Sequence, residues 1–267
     1  MAGISSVGRS ELARVVGRGR RLVSSEDAAK ALDIPRQEAA RRLIRWCDEG
    51  WLRRVRRDLY LPVPVDADRP EAWSEDAWYL ADAVWSPCYF TGWTSANHWG
   101  LTEQVFRTTV VKTAQRVRAS SQRLADAAYL VAHAPVESFR WGMRHHWRHD
   151  RRMTVADPAR TVVEILDEPR LAGGIRLAGE ILATYADEGD GALLIEYGDR
   201  MRRRSLFKRL GFLVEQLSLD RLDVVDACLA RSGSGVILLD PGGPRGGTRS
   251  SRWGLRANVQ VQQGDSS

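Results

Sequence analysis

The sequence predicts an α+β protein: a small helical domain closed by a β-hairpin, then a larger mixed α/β domain ending in a bundle-like run of helices. Three observations carry this. Residues 24–49 place apolar side chains at three-to-four spacing in two short segments split by a turn, and LRRVRRDLYL (52–61) follows as a hairpin. Strand-like runs come next at 107–113, 128–133 and 153–156, with a short one at Tyr89 and Phe90. From Pro158 the chain turns helical in PARTVVEIL, IRLAGEILATYA, ALLIEYGDRM, LFKRLGFLVEQL and RLDVVDACLA, each with helical apolar spacing.

The first helix spans 9–17, where Leu12, Val15 and Val16 share a face. Ser24 is the expected N-cap of the second, with Asp27 three residues on and Ala28, Ala29, Ala31 and Leu32 as its packing face. Asp33 and Ile34 make the turn, and Pro35 opens the third helix, where a fixed φ is tolerated. That helix runs to about Glu49, with Ala39, Leu43, Trp46 and Cys47 facing inward and Gly50 as its stop. Its other stripe is Arg36, Gln37, Arg41, Arg42 and Arg45. In the hairpin, Leu52, Val55, Leu59 and Leu61 are the anchors, and Arg53, Arg54, Arg56 and Arg57 crowd the edge and tip.

This is the outline of a winged helix-turn-helix. A cationic helix about 22 Å long suits a DNA major groove. Arg36 and Gln37, at its start, are the expected base readers, and the hairpin arginines are expected on phosphates or in the minor groove. Charge agrees. Residues 1–60 hold fourteen Arg or Lys against eight Asp or Glu, whereas 61–267 hold twenty-six of each, so the whole net charge of +6 lies with this stretch.

Pro62, Pro64 and Pro70 with nearby acids mark a linker, and the boundary is expected near residue 66. The domains are then 1–65 for DNA binding, 66–240 for the larger domain and 241–267 as a flexible Gly, Pro and Arg tail. A helix at 71–85 carries Trp73, Ala77, Leu80 and Val84, a short one follows at 95–99, and GVILL supplies a last strand. The aromatic set Trp73, Trp78, Trp85, Tyr89, Phe90, Trp93 and Trp99 reads as core.

At 43% hydrophobic and 28% charged, the chain is too apolar to be disordered. No apolar run approaches a membrane span, the N-terminus lacks a signal-peptide core, and Cys47, Cys88 and Cys228 form no CxxC pair. A cytoplasmic protein without zinc, disulfides or cofactor is expected. HHWRHD (145–150) lacks the glutamate of HExxH, PGGPRGG lacks the Lys and Ser or Thr of a P-loop, and Asp157 before Pro158 reads as a helix N-cap. Lys112 invites a nuclease comparison, but Val110 stands where such a site needs an acid.

TGWTSANHWGLTEQ (91–104), with the N-terminal pattern, VADPARTVVEIL (155–166) and KRLGFLVEQL (208–217), resembles the AbiEi-like antitoxins of type IV toxin-antitoxin systems over about residues 23–239. The matched pattern is Gly92, Trp93, Ser95, Trp99, Gly100, Leu101 and Thr102. Where relatives have Arg-Gly-x-Tyr at the wing tip, this chain has Arg57, Asp58, Leu59 and Tyr60, which replaces a tight glycine turn by a residue carrying a repelling charge. The resemblance implies a non-enzymatic autorepressor that binds inverted repeats of double-stranded DNA upstream of its own operon, as a monomer in solution or a dimer on DNA. It also implies a C-terminal domain that opposes a co-encoded nucleotidyltransferase-like toxin. The alternatives are a nuclease or phosphodiesterase guided by the N-terminal domain, and a ligand-sensing transcription factor with no toxin partner.

Overall fold

A hydroxyl that satisfies the free N–H groups of a helix start fixes where that helix begins, and Ser24 does this for the second helix. Its Oγ accepts from the Asp27 amide at 3.1 Å, and the Asp27 carboxylate accepts from the Ser24 amide at 3.0 Å. The structure is a computed structural model describing residues 6–17, 22–63, 75–148 and 151–262. It is mixed α+β and divides into two compact units, Met1–Ala83 with Arg123–Ala128, and Val84–Gln122 with Tyr129–Ser267.

In the first unit, α1 (Ser6–Val16), α2 (Ser25–Leu32) and α3 (Arg36–Asp48) surround a core of Val15, Ala28, Leu32, Ala39, Leu43 and Trp46. The antiparallel pair β1 (Leu52–Arg56) and β2 (Leu59–Pro62) adds Leu52 and Tyr60 to that core. The register shifts between Arg54 and Arg56, so β1 carries a bulge. Two backbone hydrogen bonds of 2.8 Å between Val23 and Tyr60 pin the hairpin to the segment before α2. Gly50 ends α3 at φ 81°, the left-handed conformation expected of a stop.

The chain divides at Ala83, beyond the boundary expected near residue 66. The first turn of α4 (Ala77–Trp85) already buries Trp78, Tyr79 and Leu80, so the chain is folded before the division. Most of the expected linker, with Pro64, Pro70 and Trp73, falls at 64–74, outside the described residues.

Most residues of a six-stranded sheet fall in the second unit; its order is β5-β6-β4-β3-β8-β7, with β3 Cys88–Phe90, β4 Thr108–Thr113, β5 Ser121–Leu124, β6 Ala127–His133, β7 Met143–Arg148 and β8 Arg151–Ala156. β3 runs parallel to β8 and antiparallel to β4. α5 (Gly92–His98) follows β3, and α6 (Pro158–Asp167) follows β8 from an N-cap at Asp157, as its Asp-Pro signature predicts. Residues 159–166 of α6 are all buried, because α5, α7 (Ile175–Glu188), α8 (Gly191–Met201) and α9 (Arg204–Gln216) pack around it, with α10 (Leu222–Arg231) against α8 and α9. Among the described residues no helix is long and apolar enough to cross a membrane.

One expectation needs correction. Residues 241–262 are not a flexible tail: β10 (Thr248–Ser250) and β11 (Leu255–Ala257) pair antiparallel, and β11 lies parallel to β9 (Ile237–Leu238). The cause is burial, since Trp253, Leu255 and Val261 enter the core of α6, α7 and α9. The two described histidines of HHWRHD face different neighbours. Strand alternation turns His145 toward Thr154 and His146 against the His98 ring, 4.5 Å away, while His149 and Asp150 lie outside the described residues.

Trp78, Trp85, Tyr89 and Phe90 are buried, in line with the core reading. Trp93 and Trp99 are half-buried and donate their indole N–H groups to the carbonyls of Thr108 and Ala156.

Candidate nucleic-acid interface

An amphipathic helix with arginine on one stripe and leucine on the other must bury the leucines, and α3 turns the remaining stripe to solvent. Gln37, Arg41 and Arg45 project from it, and Ile44 joins them at 51% exposure. Arg41 makes no ion pair among the described residues, and Arg45 meets Glu49 only at 3.8 Å. Asp48 closes the stripe, which leaves the first three turns of α3 as its cationic part.

The other residues expected in this interface divide sharply. Arg54, Arg56 and Arg57 are exposed at the hairpin, with no ion pair among the described residues. Arg36 is committed instead: its Nε donates to Ser25 Oγ at 2.9 Å and its Nη2 to Asp58 Oδ2 at 2.7 Å. It therefore does not stand beside Gln37 as a free base reader. Arg42 is tied to Glu11 of α1 and, at 2.8 Å, to Glu38 one turn back, which joins α1 to α3. Arg53 pairs with Asp126, and the Ser24 hydroxyl is occupied by its own capping box.

Asp58 explains the departure at the hairpin tip. It takes the left-handed conformation at φ 58° that a glycine would adopt, and its carboxylate accepts from the Ser25 amide at 3.0 Å as well as from Arg36. The charge expected to repel phosphate is thus neutralised inside the protein, and it fastens the turn to the start of α2. Burial pushes this carboxyl up, but the hydrogen bonds from Ser25 and Arg36 outweigh it and hold it below the usual range. A group lowered on folding stabilises above its unfolded value, about 3.9, and that contribution is lost as the pH falls.

Asp58→Ala is expected to reduce unfolding free energy by about 1–2 kcal/mol, from the lost hydrogen bonds to Ser25 and Arg36 and because alanine, without a polar side chain to bond locally, tolerates positive φ less well than aspartate. Asp58→Asn, which keeps an acceptor and tolerates this conformation, should lose less. Urea unfolding measures both, and equal losses would show that the carboxylate does not clamp the turn.

Sequence reasoning missed Ile44, although its place three residues after Arg41 puts it on the same stripe. An exposed apolar side chain between two arginines suits the methyl group of a thymine in the major groove.

The stretches that carried the family resemblance form scaffold. Thr91 Oγ1 donates to Glu164 at 2.6 Å, Thr161 Oγ1 to Ser95 Oγ at 2.8 Å, and Trp99 Nε1 to the Ala156 carbonyl at 2.7 Å. Residues 91–104 and 155–166 are thereby locked to each other. Lys112 lies 3.3 Å from Glu164, whose carboxylate is 1% exposed and already accepts from Tyr89, Thr91 and Arg160. A carboxylate so enclosed presents no open coordination position for a catalytic cation.

No family model and no curated protein matches the chain. Among solved structures, the RV2827C protein from Mycobacterium tuberculosis is similar, with a TM-score of 0.62 and 16% sequence identity over 94% of this chain and 92% of that chain. At this identity the likeness is one of fold alone.

Proposed function

We propose that this protein is a winged helix-turn-helix repressor that binds double-stranded DNA upstream of its own operon and, without enzymatic activity of its own, opposes a co-encoded nucleotidyltransferase-like toxin in the cytoplasm. One observation supports DNA binding above the others: five arginines, Arg41, Arg45, Arg54, Arg56 and Arg57, project from α3 and the hairpin beside Gln37 and Ile44, none held in a tight ion pair among the described residues. α3 takes the major groove, with Gln37 and Arg41 toward the bases, and the hairpin arginines take phosphates or the minor groove. Inverted repeats bring two copies together on DNA. The antitoxin half of the proposal rests on the resemblance carried by residues 91–104, 155–166 and 208–217.

A gel-shift series with the operon's upstream region tests the first half. Arg41→Ala with Arg45→Ala is expected to weaken binding at least about tenfold and, through the lost phosphate contact of Arg45, to lower the slope of log affinity against log salt by about 1. Unchanged binding would remove α3 from the interface. Arg42→Ala should instead lower stability through the lost ties to Glu11 and Glu38. Co-expression with the neighbouring gene product tests the second half, and failure to relieve its toxicity would remove the antitoxin role.

A further inference from the structure

The chain passes from α8 to α9 across just two residues, on consecutive arginines: Arg202 and Arg203 form the link and Arg204 starts α9. Arg202 occupies the C-cap of α8 at φ 55°, a left-handed position where glycine is the least strained choice. A solvent-open cleft of about 540 Å³ lies at this junction, lined also by Arg231 at the end of α10 and by Gly233. Phe207, 3% exposed, lines it. The volume is that of a small-molecule site.

Four arginines meet one acid here. Asp199 is taken by Arg231, whose Nε donates to its two oxygens at 2.9 and 3.1 Å. Arg203 approaches Asp167 only at 3.8 Å. The side chains of Arg202 and Arg204 make no hydrogen bond or ion pair among the described residues. Arg204 is exposed, and its side chain passes close to Gly233. A Cβ at Gly233, itself at φ 64°, would stand 2.8 Å from Arg204 Cδ and 3.0 Å from Nη1. Two exposed cations on one rim, without an acid to neutralise them, are available to an anion from outside.

We infer that this cavity binds a compact polyphosphate, free or carried on a nucleoside. Guanidinium forks match phosphate oxygens in pairs, and an excess of about two positive charges around one concavity, after Asp199 and Asp167 are counted, calls for more than one negative charge in a short span. A duplex backbone is convex and would touch the arginines without filling the space between them. The site lies in the second unit and does not depend on the DNA-binding proposal.

Calorimetric titration of the full chain with inorganic tripolyphosphate, a nucleoside triphosphate and the parent nucleoside tests the inference. Saturable binding of tripolyphosphate is expected, weakened at least about tenfold by Arg202→Ala with Arg204→Ala, the equivalent of losing 1.4 kcal/mol. Gly233→Ala, which keeps every charge and displaces Arg204, should weaken it as well. Arg41→Ala with Arg45→Ala should leave it unchanged, which separates this site from the α3 face. Equal affinity for tripolyphosphate and nucleoside triphosphate assigns recognition to phosphate alone, and tighter nucleotide binding assigns it to a nucleotide. Absence of saturable binding by either polyphosphate overturns the inference. So does affinity unaffected by the Arg202 and Arg204 changes, or a loss in that variant of duplex affinity alone.

Discussion

Glu164→Ala is expected to remove about 3–5 kcal/mol of stability, the usual loss when one partner of a buried ion pair is deleted. Glu164 is 1% exposed at the centre of the second unit. Its Oε1 accepts from Tyr89 Oη at 2.7 Å and from Arg160 Nε at 2.8 Å, and its Oε2 accepts from Thr91 Oγ1 at 2.6 Å, with Lys112 Nζ at 3.3 Å. Deletion leaves Lys112, 6% exposed, with Glu168 at 3.9 Å as its one remaining ion pair among the described residues. Arg160 fares better: it keeps the carbonyls of Ser138 and Trp141 and lies 3.4 Å from the Trp141 ring centroid. Removing Lys112 should therefore follow the same direction as removing Glu164, and a double change to apolar residues should cost less than the sum of the two.

The same carboxylate makes stability depend on acid. Burial pushes it up, but Lys112 and Arg160, helped by the Thr91 and Tyr89 hydroxyls, outweigh burial and bring it down to about 2. The folded value lies below the unfolded one of about 4.3, so the contribution is complete above that pH and is lost as the pH falls toward 2. Wild-type unfolding free energy should decline through this window more steeply than that of Glu164→Gln. Parallel profiles would show that Glu164 is not the group responsible.

Trp253→Ala is expected to cost about 3–5 kcal/mol, the range for truncating a buried aromatic side chain. Trp253 is 1% exposed and donates its indole N–H to Glu215 at 2.6 Å. Its six-membered ring lies over Gly211 of α9 so closely that a Cβ there would overlap the ring atoms. Gly211→Ala alone should thus destabilise through overpacking, by at least about 1–3 kcal/mol. In the Trp253→Ala background the sign should reverse, because the overlap is gone and alanine is the better helix former by about 1 kcal/mol. Urea unfolding of the four proteins gives this cycle, and additive changes would contradict the contact.

How much of this was legible depends on sequence separation. The caps at Ser24 and Asp157 and the inward stripe of α3 were readable, because each signal lies within a few residues of its effect. Half of the pairing of Arg42 was readable too, since Glu38 is one helical turn away. The edge strand β7 was not, because MRHHWR faces solvent and lacks apolar alternation. The packed segment 241–262 escaped for a related reason: Trp253, Leu255 and Val261 are too few to form a periodic pattern, and glycines and prolines around them mimic a loose tail.

The sequence by itself determined that positive charge gathers on one helix and one hairpin, since helical and strand periodicity assign faces and the arginines are simply counted. Only the tertiary structure decided which arginines remain free. Arg36 found Asp58 22 residues away, Arg42 found Glu11 on another helix, and Arg53 found Asp126 73 residues on. An arginine's availability is a property of what the fold brings within about 3 Å of it, and no local pattern encodes that distance. The polar centre of the second unit follows the same rule. Glu164 stands alone among apolar neighbours in VVEIL, and it became the best-satisfied carboxylate in the core because β3, β4 and α6 deliver Tyr89, Thr91, Lys112 and Arg160 to it at once.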